Sequence, residues 1–212
     1  MTDNETGTDE VTGPGPSSDL NEVRRLSLPE ADELGTVTAV FEDLQHVLRC
    51  CEHLVTAIGA PPAGPARVDA DAALIEALWT SALISYARCF SMKTQVLSRG
   101  DLDALELPGD VGGFHDALLR LRDHYTSQHV NPRESISVGA AEAEGSAVGV
   151  AVVSAPQPSV DDTTVRQLGR IAYGLSGLLD ERMQEIQDRV LGRARELDAD
   201  EFAALPLMQL NA

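Results

Sequence analysis

Aromatic residues are scarce: one Trp, three Tyr and four Phe in 212 residues, or 4%. Burial therefore falls to aliphatic and alanine-rich packing, the material of helical cores. Lysine is almost absent, with Lys93 alone beside the arginines, and the 16 basic residues face 34 acids for a formal charge of −18. A surface that negative repels nucleic-acid phosphates at long range, which excludes a DNA-coating role and requires any RNA contact to be a local positive exception. The three cysteines, Cys50, Cys51 and Cys89, cannot build a disulfide framework. They read as reduced, buried thiols of a cytosolic protein. No CxxC and no closely spaced Cys/His set occurs, so neither a metal nor a cofactor is expected. Long apolar runs are missing as well. The most apolar stretch, residues 148–153, is too short to span a bilayer, and the first ten residues are acidic and polar, unlike a secretory leader. These absences point to a cytoplasmic protein without membrane contact.

Residues 1–28 hold Gly13-Pro14-Gly15-Pro16-Ser17-Ser18 and little apolar material, which predicts a disordered acidic tail. A helical domain is expected over residues 29–199, followed by a flexible tail at 200–212. Pro29 suits a first helical turn, and Val37, Val40, Phe41, Leu44, Val47, Leu48, Leu54 and Ile58 follow helical spacing up to the stop at Gly59 and Pro61-Pro62. Asp69 or Asp71 can cap a second helix with a broad apolar face from Leu74 to Phe90. A loop between Ser98 and Gly109 has room for one short helical turn, and Asp110 can cap the next helix, striped by Phe114, Leu118, Leu121 and Tyr125. Asn131-Pro132 is a break. Alternation from Ile136 to Val152 around Glu144-Gly145 predicts a β-hairpin at about 134–154. Asp161 or Asp162 can open a long last helix reaching about Leu197, with Arg189, Arg193 and Arg195 near its negative end. The expected fold is mainly all-α, a helical bundle with one small hairpin inserted before a long C-terminal helix.

Chemistry-bearing residues concentrate in one place, from Phe114 to Pro132. Three of the five histidines, His115, His124 and His129, lie there, and with Arg133 just beyond it, Arg120 and Arg122 outnumber Asp116 and Asp123. The stretch is locally positive in a negative chain, so an anionic substrate would be drawn to it. At 100° per residue, His129 falls about 20° from Arg122 if the helix continues, so both emerge on one flank two turns apart. A symmetric partner could pair two such flanks in one cleft.

Arg122-Asp123-His124-Tyr125-Thr126-Ser127-Gln128-His129 resembles the Arg-x(4–6)-His hallmark of the HEPN superfamily of helical-bundle proteins, many of them RNases. Asp123 stands in the polar slot after the Arg. The segment is also similar to the Arg-Asp-(Lys/His)-aromatic-x-Ala-His pattern of an uncharacterised bacterial branch, with one more residue before the His. There the motif follows a helix resembling Leu78-Trp79 through Tyr86-Ala87-Arg88-Cys89-Phe90. The resemblance covers about residues 70–190 and implies an HEPN-like bundle acting as a metal-independent endoribonuclease of toxin or defence type. It implies that Arg122, His129 and Asp123 are catalytic, with Asn131, Arg88 and His124 at the substrate, in a composite site built from both subunits of a homodimer.

Two other readings stand beside it. A non-catalytic interaction or regulatory module of the same fold accords with the strong negative charge. An acidic, antitoxin-like partner protein would use its tail to mimic nucleic acid. At single residues the structural readings are as concrete: Arg122-Asp123 as a surface pair, His129 as a helix C-cap, and Arg88 paired with a bundle carboxylate. His115 and His124 read as solvated, Trp79, Tyr86 and Phe90 as core, and His46 and His53 as a histidine pair without metal support.

Overall fold

The computed structural model describes residues 22–59, 68–128, 131–156 and 159–208. The frame is three long helices and a shorter one: α1 (Pro29–Gly59), α2 (Val68–Cys89), α4 (Val111–Thr126) and α5 (Asp162–Glu196), with a single-turn α3 (Arg99–Asp103) on the crossover between α2 and α4. The chain is mainly helical, as its periodicity predicts. Pro29 opens α1 with Glu30 and Asp32 in the first turn, where carboxylates favour the positive helix end. Asp110 and Asp161 cap α4 and α5, accepting the backbone N–H of Gly113 and Thr164, each at 2.7 Å. The second helix starts at Val68, ahead of Asp69 and Asp71, so neither of these is its cap.

α1 lies at the centre. Its buried side chains Val37, Val40, Leu44, Val47, Cys51 and Leu54 recur every three or four residues and meet Val165, Leu168, Ile171, Leu175, Leu179 and Met183 of α5. The two helices run antiparallel: Glu33 reaches Arg189, Gln45 reaches Ser176, and Cys51 lies against Gly169. α2 packs antiparallel on the other flank of α1, with His46 on Ser81 (2.8 Å) and Asp43 on Arg88 (3.3 Å). α4 then covers α2. Trp79, Tyr86 and Leu83 are buried in the single core these helices share, as are all three cysteines, which are free. Burial pushes the Cys51 and Cys89 thiols up to about 12, so both are protonated at neutral pH.

Two small antiparallel sheets complete the fold. Strands β2 (Glu134–Ala143) and β3 (Ser146–Pro156) form the expected hairpin, closed by Glu144-Gly145 with positive φ at both positions (52° and 78°). That is the pair of left-handed conformations a two-residue hairpin turn needs, and Gly145 meets it without Cβ strain. The other sheet joins β1 (Val23–Arg24) to β4 (Leu207–Met208), which follows the short helix α6 (Ala199–Ala204). Both tail boundaries drawn from composition, at 28 and at 200, therefore fall inside structured chain. The cause is long-range: the Arg24 guanidinium donates to the carbonyls of Ala203 (2.6 Å) and Leu205 (2.9 Å), satisfying the end of α6 from 180 residues away. The rest of the acidic tail, residues 1–21, lies outside the described residues. Among the described residues no helix is long and apolar enough to cross a membrane.

Candidate functional site at the end of α4

The apolar stripe of α4 faces α2 and ends at Tyr125. Arg122 leaves that stripe in the last turn with its side chain 35% exposed. Its Nε donates to Asp123 Oδ1 at 2.8 Å. The carboxylate thus holds the neighbouring guanidinium by one edge, and Nη1 and Nη2 have no partner among the described residues. His124, beside it, sets its ring perpendicular to that of Tyr125, 6.2 Å between centroids.

The helix stops sooner than a shared Arg122/His129 flank requires. Thr126 is the last helical residue, its hydroxyl donates to Arg122 O at 3.0 Å, and Ser127 is extended. The seven-residue helical phase between Arg122 and His129 is therefore broken after Thr126. His129 itself lies outside the described residues, as does Val130. The chain re-enters at Asn131, whose Oδ1 accepts the backbone N–H of Arg133 at 2.9 Å, a local turn that commits the amide oxygen and leaves Nδ2 as a donor.

Arg133 then reaches across to α2, where its Nε donates to the Glu76 carboxylate at 2.9 Å. This pair, with Tyr125, borders two adjoining hollows on the outer side of α2. One, of about 320 Å³, is walled by Ile75, Trp79 and Val160. The other, of about 630 Å³, runs along Ala77, Thr80, Ser81 and Ile84. Burial, then the nearby Glu76 carboxylate, push the Tyr125 hydroxyl above its ordinary pKa, so it is a neutral donor at the rim. Sequence reasoning counted Arg133 only as local charge and missed Glu76 and Tyr125 as lining. The one signal for Glu76 is its place on the α2 face that also carries Trp79; nothing local links it to a residue 57 positions on.

The other predicted residues are placed elsewhere. Arg88 sits at the far end of the α2–α4 pair, since Tyr86 contacts His115 in the first turns of α4 whereas Glu76 lies beside Tyr125. It pairs with Asp43 of α1 and is not brought to Arg122. His115 is not solvated: it is 6% exposed, with Nδ1 2.9 Å from the Tyr86 hydroxyl and the Phe90 ring at 4.4 Å. Its position three residues before the buried Leu118 puts it on the helix face that α2 covers. Among the described residues no group of three or more His, Cys, Asp or Glu is arranged to hold a metal ion. Comparisons with models of protein families, with curated proteins and with solved structures find no match to this chain.

Proposed function

We propose that the chain is an HEPN-like helical protein whose α4 end binds RNA phosphate and serves a metal-independent endoribonuclease, with the second subunit of a homodimer completing the site. One observation carries this reading: Arg122, tethered at Nε by Asp123 and partly exposed at the end of α4, keeps Nη1 and Nη2 without a partner among the described residues, in a chain that is otherwise strongly acidic. Charge of the right sign, in a fork that matches phosphate oxygens, is the first requirement for a phosphate site. In the reaction a ribose 2′-oxygen attacks the adjacent phosphorus, the P–O5′ bond breaks, and a 2′,3′-cyclic phosphate and a 5′-hydroxyl remain. His129 takes the 2′-OH proton or protonates the leaving oxygen, a role that suits imidazole because its unperturbed pKa is near neutrality. Arg122 stabilises the charge growing on the phosphate oxygens, Asp123 positions it, and the Asn131 amide adds a donor.

Full-length protein incubated with single-stranded and transfer RNA in EDTA is expected to yield cyclic-phosphate ends. Arg122→Ala and His129→Ala are each expected to lower the rate by about 10²–10⁴-fold, with the thermal melting midpoint unchanged because Arg122 lies outside the core. Intact RNA across several RNA classes overturns the nuclease reading. The second reading, a non-catalytic interaction module, is favoured by a different observation: the hairpin leaves Val138, Val150 and Val152 between 67% and 78% exposed, an aliphatic surface without a function in catalysis.

A further inference from the structure

Four side chains that can donate hydrogen bonds recur on one face of α5. Thr163, Arg166, Gln167 and Arg170 stand at i, i+3, i+4 and i+7, within an arc of about 100°. All four line a hollow of about 390 Å³. Its other wall is apolar, built from Leu107, Pro108 and Val111 where the α2–α4 crossover enters α4, and the buried Ile171 lines it as well.

These donors are uncommitted. The Thr163 hydroxyl, the Gln167 amide and the Arg170 guanidinium make no hydrogen bond or ion pair among the described residues. Arg166 is held at Nε by Asp162 Oδ2 (2.6 Å), which leaves Nη1 and Nη2 as donors. No acid lines the hollow. Of the acids beside its walls in sequence, Asp110 and Asp161 accept the Gly113 and Thr164 N–H groups, Asp162 is tied to Arg166, and Glu106 does not line it. Asp162 offsets Arg166, so Arg170 supplies one uncompensated positive charge. Across Leu107, Arg166 and Arg170 a second hollow of about 600 Å³ opens toward Tyr173, but Glu52 stands in its wall. The negative end of a ligand therefore belongs on the Gln167 side.

We propose that this hollow binds a small amphipathic carboxylate. The carboxylate bridges Arg166 and Arg170, one helical turn apart, with the Gln167 amide donating between them. Thr163, two turns from Arg170, is left for a second polar atom of the ligand. The apolar body displaces water from Leu107, Pro108 and Val111. In a chain of charge −18 an anion is held only where local donors outweigh long-range repulsion, and the donor stripe provides that. One uncompensated cation suits one negative charge, so a carboxylate is preferred to a doubly charged phosphate ester. The site lies on α5 and does not depend on the α4 end cleaving RNA.

The test is calorimetric titration of the full chain with naphthoate, its neutral amide and naphthyl phosphate. Naphthoate is expected to bind saturably at one site per chain. The amide is expected to bind about 10–100-fold more weakly, for want of the charged hydrogen bonds, and naphthyl phosphate no more tightly than naphthoate. Arg170→Gln is expected to weaken naphthoate at least about tenfold, with the melting midpoint of the free protein unchanged because the guanidinium holds no other described residue. Arg195→Gln makes the same change in net charge roughly 37 Å along the same helix, at 1.5 Å per residue, and is expected to leave the affinity unaltered. Unsaturable naphthoate, an amide that binds equally well, a phosphate ester that binds more tightly, or equal loss in Arg195→Gln overturns the proposal. Binding is read without RNA, so a chain that cleaves nothing leaves this site standing, and a nuclease that ignores naphthoate overturns it alone.

Discussion

His115 shows how much one side chain's surroundings decide. The Tyr86 hydroxyl lies 2.9 Å from His115 Nδ1, a hydrogen bond in a site that favours the neutral ring. Burial lowers its pKa, against the pull of Asp116. A histidine depressed in the folded state leaves the unfolded chain holding more protons below its ordinary pKa of about 6.5. Its contribution is therefore intact above that pH and is lost as the pH falls toward the folded value. Melting midpoints measured from pH 7.5 to 5 are expected to decline, and His115→Gln, which cannot titrate, is expected to flatten that decline. Tyr86→Phe strips the ring nitrogen of its hydrogen-bond partner and is expected to cost about 1–2 kcal/mol in urea unfolding. The residue type suggested a solvated histidine; three-residue spacing to Leu118 was the only local hint otherwise.

Among the elements, the single-turn α3 depends most on distant partners. Asp101 Oδ2 accepts from the Ser98 backbone N–H (2.6 Å) and hydroxyl (2.7 Å), while Arg182 of α5 grips its Oδ1 and the Val96 carbonyl. Burial pushes the Asp101 carboxyl up, but the hydrogen bonds from Ser98 and Arg182 outweigh it and hold it below the ordinary range. This support is present above about pH 4 and is lost as the pH falls through the lowered folded value. Arg182→Ala, discounted for the partial exposure of the guanidinium, is expected to cost about 1–2 kcal/mol at pH 7. That cost is expected to shrink as the pH is lowered below about 4, toward the part owed to the Val96 carbonyl, a trend that denaturant titrations along that range measure. The short turn itself was legible from Ser98 and the Gly109 break. Its anchor was not, because Arg182 lies 81 residues away.

At the scale of the whole molecule, the bundle and the hairpin are energetically separate. Every side chain of the core cluster belongs to a helix or to the α2–α4 crossover, and none to β2 or β3. Replacing residues 135–155 with a short Gly-Ser turn is accordingly expected to leave the bundle's unfolding free energy within about 1 kcal/mol of the original, the range of surface changes. A larger loss would show that the hairpin braces the helices. The same separation leaves α1, α2, α4 and α5 to hold the Arg122 end in place without the hairpin. The strap of β1 on β4 ties both ends of the described chain together at the foot of α5.

Periodicity and caps are local, so the sequence by itself determined the four main helices, the Asp110 start, the start of α5 to within Asp161 or Asp162, and the Glu144-Gly145 turn: each needs only neighbours a few residues apart. The Arg133–Glu76 pair bordering the cleft at the end of α4, the burial of His115 and the Arg24 clasp on α6 were decided by tertiary structure. In each of these, a polar or charged group chooses a partner supplied by a separate element, and that choice exists only once helices have packed and water has been excluded between them.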